Sequence, residues 1–291
     1  MPVRSEVEND PLYLPVLDHG YVVLKEWMGS DQTIVESARV SYGNGTKKVS
    51  DDRNLIRYLV RNRHTSPIEM GEVRFLIHMP IFVMRQFVRH RTASLNEYSG
   101  RYSVMSNEFY IPDNACILPQ STTNNQGRAG EMSDLEREIV RNTIKRVSTE
   151  AYADYEALLE PGDKYNLENP QGLSRELARM VLPVNFYTEL YWKCDLKNFL
   201  HMVSLRSDSH AQQEIQDYSN AMYSLVKTKF PITCEAFEDY QMFGSHVSRQ
   251  ELSMLKEAID ADKLKLLVQE SSLSKREKQE FLIKLGVNNE G

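Results

Sequence analysis

Cysteine is scarce in this 291-residue chain: Cys116, Cys194 and Cys234 stand far apart, and none belongs to a C-x-x-C pair. Neither a disulfide framework nor a zinc knuckle is supported by that pattern. No apolar run approaches the roughly 18 residues that a membrane-spanning helix needs. The opening MPVRSEVENDPLYLP holds acids where a signal peptide would hold an apolar core, so a cytoplasmic protein without membrane contact is expected. Positive charge is not in surplus either. Lys and Arg number 35 against 41 Asp and Glu, a net charge of −6, which argues against general coating of nucleic acid. Phosphate-loop and dinucleotide signatures are missing: Gly43-x-Gly45 lacks its third glycine and follows a helical pattern, and no GxxxxGK[ST] occurs. There is no HExxH, and no cysteine is placed beside a histidine as a catalytic pair, so no metal site is expected and thiol catalysis has no visible support.

What is present is a globular composition, 41% hydrophobic and 26% charged, which excludes a disordered or collagen-like chain. Residues 20–28 read as a strand, followed by a helix begun at Ser30-Asp31 and carrying Ile34, Val35 and Ala38, closed by Gly43-Asn44-Gly45. A second helix from Ser50 places Leu55, Ile56, Leu59 and Val60 on one face. In 72–79, Val73, Phe75 and Ile77 alternate with Arg74, Leu76 and His78, a strand with one face better buried. Pro80 then opens a helix spanning 81–91. Residues 118–133 form a polar surface loop. A long helix follows from a capping box at Ser133 and Glu136, with Ile139, Ile144, Val147, Ala151, Tyr155 and Leu158 as its buried stripe. A strand over 184–194 lies between helices at about 171–181 and 196–229. Beyond Gly244, Lys, Glu and Leu dominate a helical extension with a capping box at Ser274 and Glu277 and a terminal Gly286. The fold class is α+β, a mixed or antiparallel sheet packed with long helices. Residues 1–245 form one domain and 246–291 a C-terminal helical extension expected to lie apart from any binding or catalytic site.

The densest chemistry lies in Arg85 to Tyr102, RQFVRHRTASLNEYSGRY, with four arginines and a histidine beside Gln86, Ser94, Asn96, Glu97 and Ser99. On one helix Arg85 and Arg89 would be an i,i+4 like-charge pair, costing a few tenths of a kcal/mol without an anion between them. Four arginines can equally be a solvated face or complement a helix C-terminus. The hydroxyl, amide and carboxylate groups that follow favour recognition of a phosphorylated, hydrogen-bonding ligand. Arg206 and His210 in LRSDSHAQ would share a helix face, a weaker signal on its own, as is Arg179 ahead of Pro183.

The run Arg89 to Arg101 matches RHRxxSxNExSxR at every fixed position and so resembles the flavin-dependent thymidylate synthases. HTSPIE at 64–69, ARVSY ending at Tyr42, ARMVLP at 178–183 and LRSDSHAQQEIQ at 205–216 extend the resemblance over roughly residues 15–245. It implies reductive methylation of dUMP to dTMP, with 5,10-methylenetetrahydrofolate as carbon donor and NADPH as reductant through bound FAD. It also implies a homotetramer whose active sites are shared between subunits. The hard chemistry would then belong to the flavin, which accounts for the missing motifs.

By the same resemblance dUMP would contact Gln86, Phe87, Val88, Arg89, Glu97, Tyr98, Ser99, Gly100, Arg101, Arg179 and Arg206. Arg206 is the catalytic candidate, its permanent cation favouring the ionised uracil imide. FAD would contact Ser66, Arg89, His90, Arg91, Glu97, Asp195, Leu196, Lys197 and His201, with Ser41, His64, Glu69 and His210 as secondary contacts. Lys197 and Asp195 depart from the family's common arginine and asparagine, and Ile68 and Met70 from an aromatic and a histidine. The rival reading is a non-catalytic nucleotide- or nucleic-acid-binding module built on Arg85 to Arg101.

Overall fold

The computed structural model describes residues 4–40, 52–123, 127–164, 168 and 170–287. Ser41, Gly43-Asn44-Gly45 and Ser50 lie outside them. A short helix α1 (Arg4–Glu8) precedes strands β1 (Tyr13–Val16) and β2 (Gly20–Met28) and helices α2 (Asp31–Val40) and α3 (Asp52–Arg61). Then come β3 (Glu72–Pro80), α4 (Ile81–Phe87), β4 (Ser94–Glu97), α5 (Asp134–Leu159), α6 (Arg175–Ala178) and β5 (Tyr187–Asp195). Helices α7 (Leu196–Arg206), α8 (Gln213–Lys227) and α9 (Pro231–Phe237) complete the core, and α10 (Arg249–Ala258), α11 (Ala261–Glu270) and α12 (Lys275–Leu285) form the extension.

The five strands lie in the order β1-β2-β3-β5-β4, and every pairing is antiparallel, so the mixed alternative falls away. Because alternate strand residues face opposite sides, Val22, Leu24, Val73, Phe75, Ile77, Leu190 and Trp192 enter the main core with residues of α2, α3, α4, α7, α8 and α9. The opposite face of β3 is covered too. Leu76 joins Val7, Tyr21 and Val23, and His78 is stacked between Tyr21 and Tyr187 with ring centroids 5.2 and 4.9 Å away. The expectation of one better-buried face therefore holds only at Arg74.

Three expected helices are shorter than their patterns suggested. The helix after Pro80 stops at Phe87, closed by turns in which Arg89 N–H donates to the Gln86 carbonyl at 3.3 Å and His90 N–H to that of Phe87 at 3.1 Å. The chain must extend there to pair β4 with the β5 edge, so Arg85 and Arg89 are not a like-charge pair on one helix. The helix expected at 171–181 is only α6 followed by a 3-10 turn, Arg179–Val181. The helix expected at 196–229 breaks at Ser207 to Gln212, where the Asp208 side chain accepts the backbone N–H of His210 at 2.8 Å and competes with helical bonding. Arg206 thus ends α7, and His210 shares no helix face with it. The strand expected from Val184 begins at Tyr187.

Helix α5 has its capping box, yet Ile139 and Val147 of its expected buried stripe are 56% and 43% exposed. Only its C-terminal half, through Tyr152 and Tyr155, packs against Met105, Ala178 and Phe186.

The extension is anchored rather than loose. Arg57 of α3, nearly buried, donates to Glu277 of α12 at 3.0 Å and to Asp239 at 2.6 Å, while Arg61 pairs with Glu280 at 2.8 Å. The Tyr240 hydroxyl meets both Arg57 and Glu277. Tyr240 belongs to a π-helical turn, Glu238–Met242, that leads toward the extension. Gly286 ends α12 at φ +77°, the left-handed position that glycine takes without a Cβ penalty.

Candidate functional site

Helix α7 is the spine of the site. Asp195 caps it, accepting the Asn198 N–H at 2.9 Å, so the residue that departs from the family's asparagine has a helix-starting role. Lys197, His201 and Ser204 recur at helical spacing and share one face. They line a cleft of about 420 Å³ whose apolar floor is Leu59 and Val60 of α3 with Ile68 and Leu200. A second cleft, about 640 Å³, adjoins the first through Ser204 and contains Gln86, Arg206, Asp208, His210 and Gln212.

Arg206 is held at the end of this spine. Its Nε–H donates to His90 Nε2 at 3.0 Å and an Nη2–H to the Gln86 carbonyl at 3.2 Å, while Gln86 Nε2 donates to Gln212 Oε1 at 2.6 Å. Burial lowers the Arg206 pKa from its ordinary value, but a guanidinium stays charged in proteins. The nearest acid in the cleft, Asp208, is engaged by His210 at 2.8 Å. Burial, followed by the Arg206 and His201 charges, lowers His90 from 6.5 to about 4. A neutral imidazole is what the Arg206 bond requires, because Nε2 must accept.

A pH effect with a definite sign follows. Between about pH 6.5 and pH 4 the unfolded chain holds more protons on His90 than the folded chain does, so stability falls as pH falls through that window. Unfolding free energies of the unsubstituted protein and His90→Gln, compared from pH 7 downward, should diverge to the disadvantage of the former. A pH-independent difference would refute the neutral His90.

A third cleft, about 330 Å³, is lined by Glu97 to Arg101, Ile81, Met105, Arg179, Leu182 and Thr188. Glu97 accepts from the Thr188 hydroxyl at 2.8 Å, and Arg101 Nε approaches Ser99 Oγ at 3.5 Å. At Gly100 a Cβ would stand 2.8 Å from Met105 Sδ and 3.2 Å from Arg179 Cδ, so the close approach of the two arginine-bearing segments uses glycine's lack of a side chain.

The sequence-predicted residues therefore separate within one chain. Gln86, His90, Arg206 and His210 gather at one cleft, Lys197 and His201 at the adjoining one, and Glu97 to Arg101 with Arg179 at the third. Arg89 and Arg91 are exposed on the turn before β4, and Val88 is 41% exposed. Phe87 is packed on Trp192 and Leu196 is fully buried in the core, so their side chains are structural there. Ser66, His64 and Glu69 are exposed in the segment between α3 and β3, His64 edge-on to Tyr58. Thr188, Ser204, Arg63, Gln241 and His246 also line these clefts and were not singled out from sequence as site residues, because no signature motif includes them and only the fold brings them to the clefts.

No thiol joins these clefts. Burial pushes the Cys234 thiol up to about 12, raises Cys194 further and raises Cys116 as well. A thiolate nucleophile is disfavoured at each. Replacing all three by Ala should leave turnover within severalfold, measured on folded protein that retains its flavin. A collapse of turnover in such a Cys194→Ala protein would overturn this.

Residues 22–232 match the family model described as thymidylate synthase complementing protein. The flavin-dependent thymidylate synthase of Rickettsia bellii (strain RML369-C) is 45% identical over 286 residues, covering 97% of this chain and 95% of that protein. The one from Ruegeria pomeroyi is 46% identical over 268 residues, covering 92% and 86%. Among solved structures, a UMP/dUMP methylase from Streptomyces cacaoi bound with 5-Br UMP has a TM-score of 0.67 at 33% identity, covering 79% of this chain and 98% of that one. With a signature run that turns into an edge strand, an arginine ending the helix beside it, and relatives this similar along nearly its whole length, the chain belongs to the flavin-dependent thymidylate synthase family.

Proposed function

We propose that this chain methylates dUMP to dTMP by a reductive route, with 5,10-methylenetetrahydrofolate as carbon donor, NADPH as reductant and FAD as the bound cofactor. The observation that carries the reading is Arg206: a half-buried cation, oriented by neutral His90 and the Gln86 carbonyl, facing a cleft whose acid is already engaged. Of the five N–H donors on a guanidinium, two are committed in this way and three remain for a ligand. Beside a uracil ring such a cation stabilises the ionised imide and lowers its pKa.

The donor set along α7 fits FAD. A flavin dinucleotide combines broad ring faces with a doubly charged diphosphate, and the first cleft sets an apolar floor beside Lys197 and His201. Ser66, His64 and Glu69 on the neighbouring segment are further contacts, while Asp195 and the buried Leu196 act indirectly, by starting the helix that presents Lys197 and His201. When bound, the flavin supplies the redox chemistry, which the side chains lack. The protein's share is to bind, orient and polarise.

Arg101 and Arg179, with Ser99, suit the nucleotide phosphate, and Glu97 and Tyr98 border them. Because this cleft is separate from Arg206 in one chain, a complete site is built when another copy brings its Glu97 to Arg101 segment to the α7 face. Self-association as a homotetramer is supported by exposed Leu135, Ile139 and Val147 on α5 and by exposed Leu177, Met180 and Val181 on the segments packed against it. Residues 1–245 constitute the catalytic domain and 246–291 the helical extension. Among the described residues no helix is long and apolar enough to cross a membrane.

Release of tritium from dUMP labelled at ring carbon 5, dependent on both folate and NADPH, tests the proposal. Purified protein that carries flavin yet releases no tritium would refute it, and protein without a flavin absorption band would favour a binding module.

A further inference from the structure

Helix α3 ends in a Schellman turn: His64 N–H donates to the Leu59 carbonyl at 2.9 Å and Arg63 N–H to that of Val60 at 3.2 Å. The residue in the left-handed position of such a turn is usually glycine, and here it is Arg63 at φ +57°. An L side chain is penalised at that φ, so an arginine there works against the local fold. What the side chain reaches is the cleft on α7. Arg63 lines it, an Nη2–H approaches His246 Nδ1 at 3.4 Å, and Lys197 and His201 stand on the facing helix.

The charge of this cleft is one-sided. Arg63, Lys197, His201 and His246 line it, and no Asp or Glu does among the described residues. Lys197 Nζ is hydrogen-bonded to the Asn198 amide oxygen at 3.3 Å, not to a carboxylate. Permanent cations gathered without a counter-charge repel one another, and an anion between them turns that cost into binding energy.

His246 and Gln241 come from beyond the matched residues 22–232, and they line the cleft beside Arg63. The anchoring of α12 explains how this wall is held. Glu277 ties to Arg57 and Tyr240, and Tyr240 precedes Gln241 in the π-helical turn. Such turns are frequent at functional sites. The extension therefore begins, at His246, as part of the cleft it was expected to stand clear of.

We propose that Arg63, supported by His246, is an additional cofactor-binding residue that contacts the diphosphate of the flavin dinucleotide, and that the C-terminal extension is the brace holding this wall of the cleft. The assignment rests on the FAD reading above. It adds a cation from a helix-ending turn and a wall from the extension to the contacts that α7 supplies.

FAD is titrated into full-length apoprotein, unsubstituted and Arg63→Gly, at low and at high salt, with flavin fluorescence as the readout and the thermal unfolding midpoint recorded for each protein. Arg63→Gly should leave the midpoint unchanged or raise it, since glycine relieves the left-handed position. It should weaken FAD about tenfold at low salt, the scale of one charge-assisted bond, and by less at high salt. Arg63→Lys, which keeps charge and backbone cost, should remain within severalfold of the unsubstituted protein, and exposed His246→Ala should lose affinity without losing stability. Equal FAD affinity for the unsubstituted and Arg63→Gly proteins overturns the inference while leaving the FAD reading standing. So does a loss of the same size at both salt concentrations, which would mean shape rather than charge. Failure of the unsubstituted apoprotein to bind FAD overturns the reading and the inference together.

Discussion

Arg206→Ala should turn over at least about a hundredfold more slowly than the unsubstituted protein at saturating dUMP, the scale of losing one electrostatic stabiliser, while retaining flavin. The expectation comes from where the charge sits. Arg206 is fixed by bonds to His90 and Gln86, so its orientation is set before a nucleotide arrives. As negative charge develops on the uracil ring, attraction to a pre-oriented cation grows, and only interactions stronger in the transition state raise turnover. Arg206→Lys keeps the charge and loses the planar fork that meets His90 and the Gln86 carbonyl together, so it should fall between the two. Titrating dUMP against the flavin absorbance gives binding, and single-turnover flavin reoxidation at saturating dUMP gives chemistry. Normal turnover of Arg206→Ala once dUMP is saturating would reduce the residue to a binding group.

Arg101→Ala should weaken dUMP by about tenfold to a hundredfold, corresponding to roughly 1.5–3 kcal/mol for a charge-assisted bond to phosphate. Its effect should be opposite in kind to that of Arg206. Arg101 is exposed at the rim of its own cleft, beside the Ser99 hydroxyl and over the Tyr102 ring at 5.2 Å, so it is available to a ligand without being buried in the fold. Turnover at saturating dUMP should change far less than affinity does. Deoxyuridine, which has no phosphate, separates charge recognition from general damage: its weak binding should be the same with and without Arg101. An unchanged dUMP affinity in folded Arg101→Ala would remove the phosphate assignment.

The two arginines also show how far the sequence could be followed. Both stand in short polar runs that resemble the family's, and their chemistry was legible there. Their separation was not. Residues 81–91 read as one helix opened by Pro80, because Phe82, Val83 and Phe87 keep a helical apolar pattern. Pairing of β4 with Lys193 to Leu190 on β5 overrides that pattern, since a strand added to a sheet edge satisfies backbone groups that a longer helix would have satisfied only within itself. The break between α7 and α8 was hidden for a related reason. Asp208 and its bonded partner His210 look like helix-surface residues until the Asp208 side chain takes the backbone N–H that the helix would use. On α5, periodicity alone could not tell a stripe buried within the chain from one left exposed at Ile139 and Val147.

The sequence by itself determined the local elements whose cause is local: β2 from its β-branched run, the capping boxes at Ser133 and Ser274, the glycine that ends α12, and the alternation that sends Val73, Phe75 and Ile77 into the main core. It also carried the residue types of the chemistry, because cations and hydrogen-bonding groups for an anionic ligand are concentrated in short runs. Tertiary structure alone decided which of those runs meet. Gln86, His90 and Arg206 are brought together across 116 to 120 residues of chain, while Arg101, only 11 positions beyond His90 in the sequence, faces a different cleft. It likewise decided that Arg63 shares a cleft with Lys197 and that Glu277 of the extension braces Arg57. The physical reason is that propensity, capping and periodicity act over a few residues, whereas the meeting of side chains depends on sheet order and helix packing, which the whole chain settles at once.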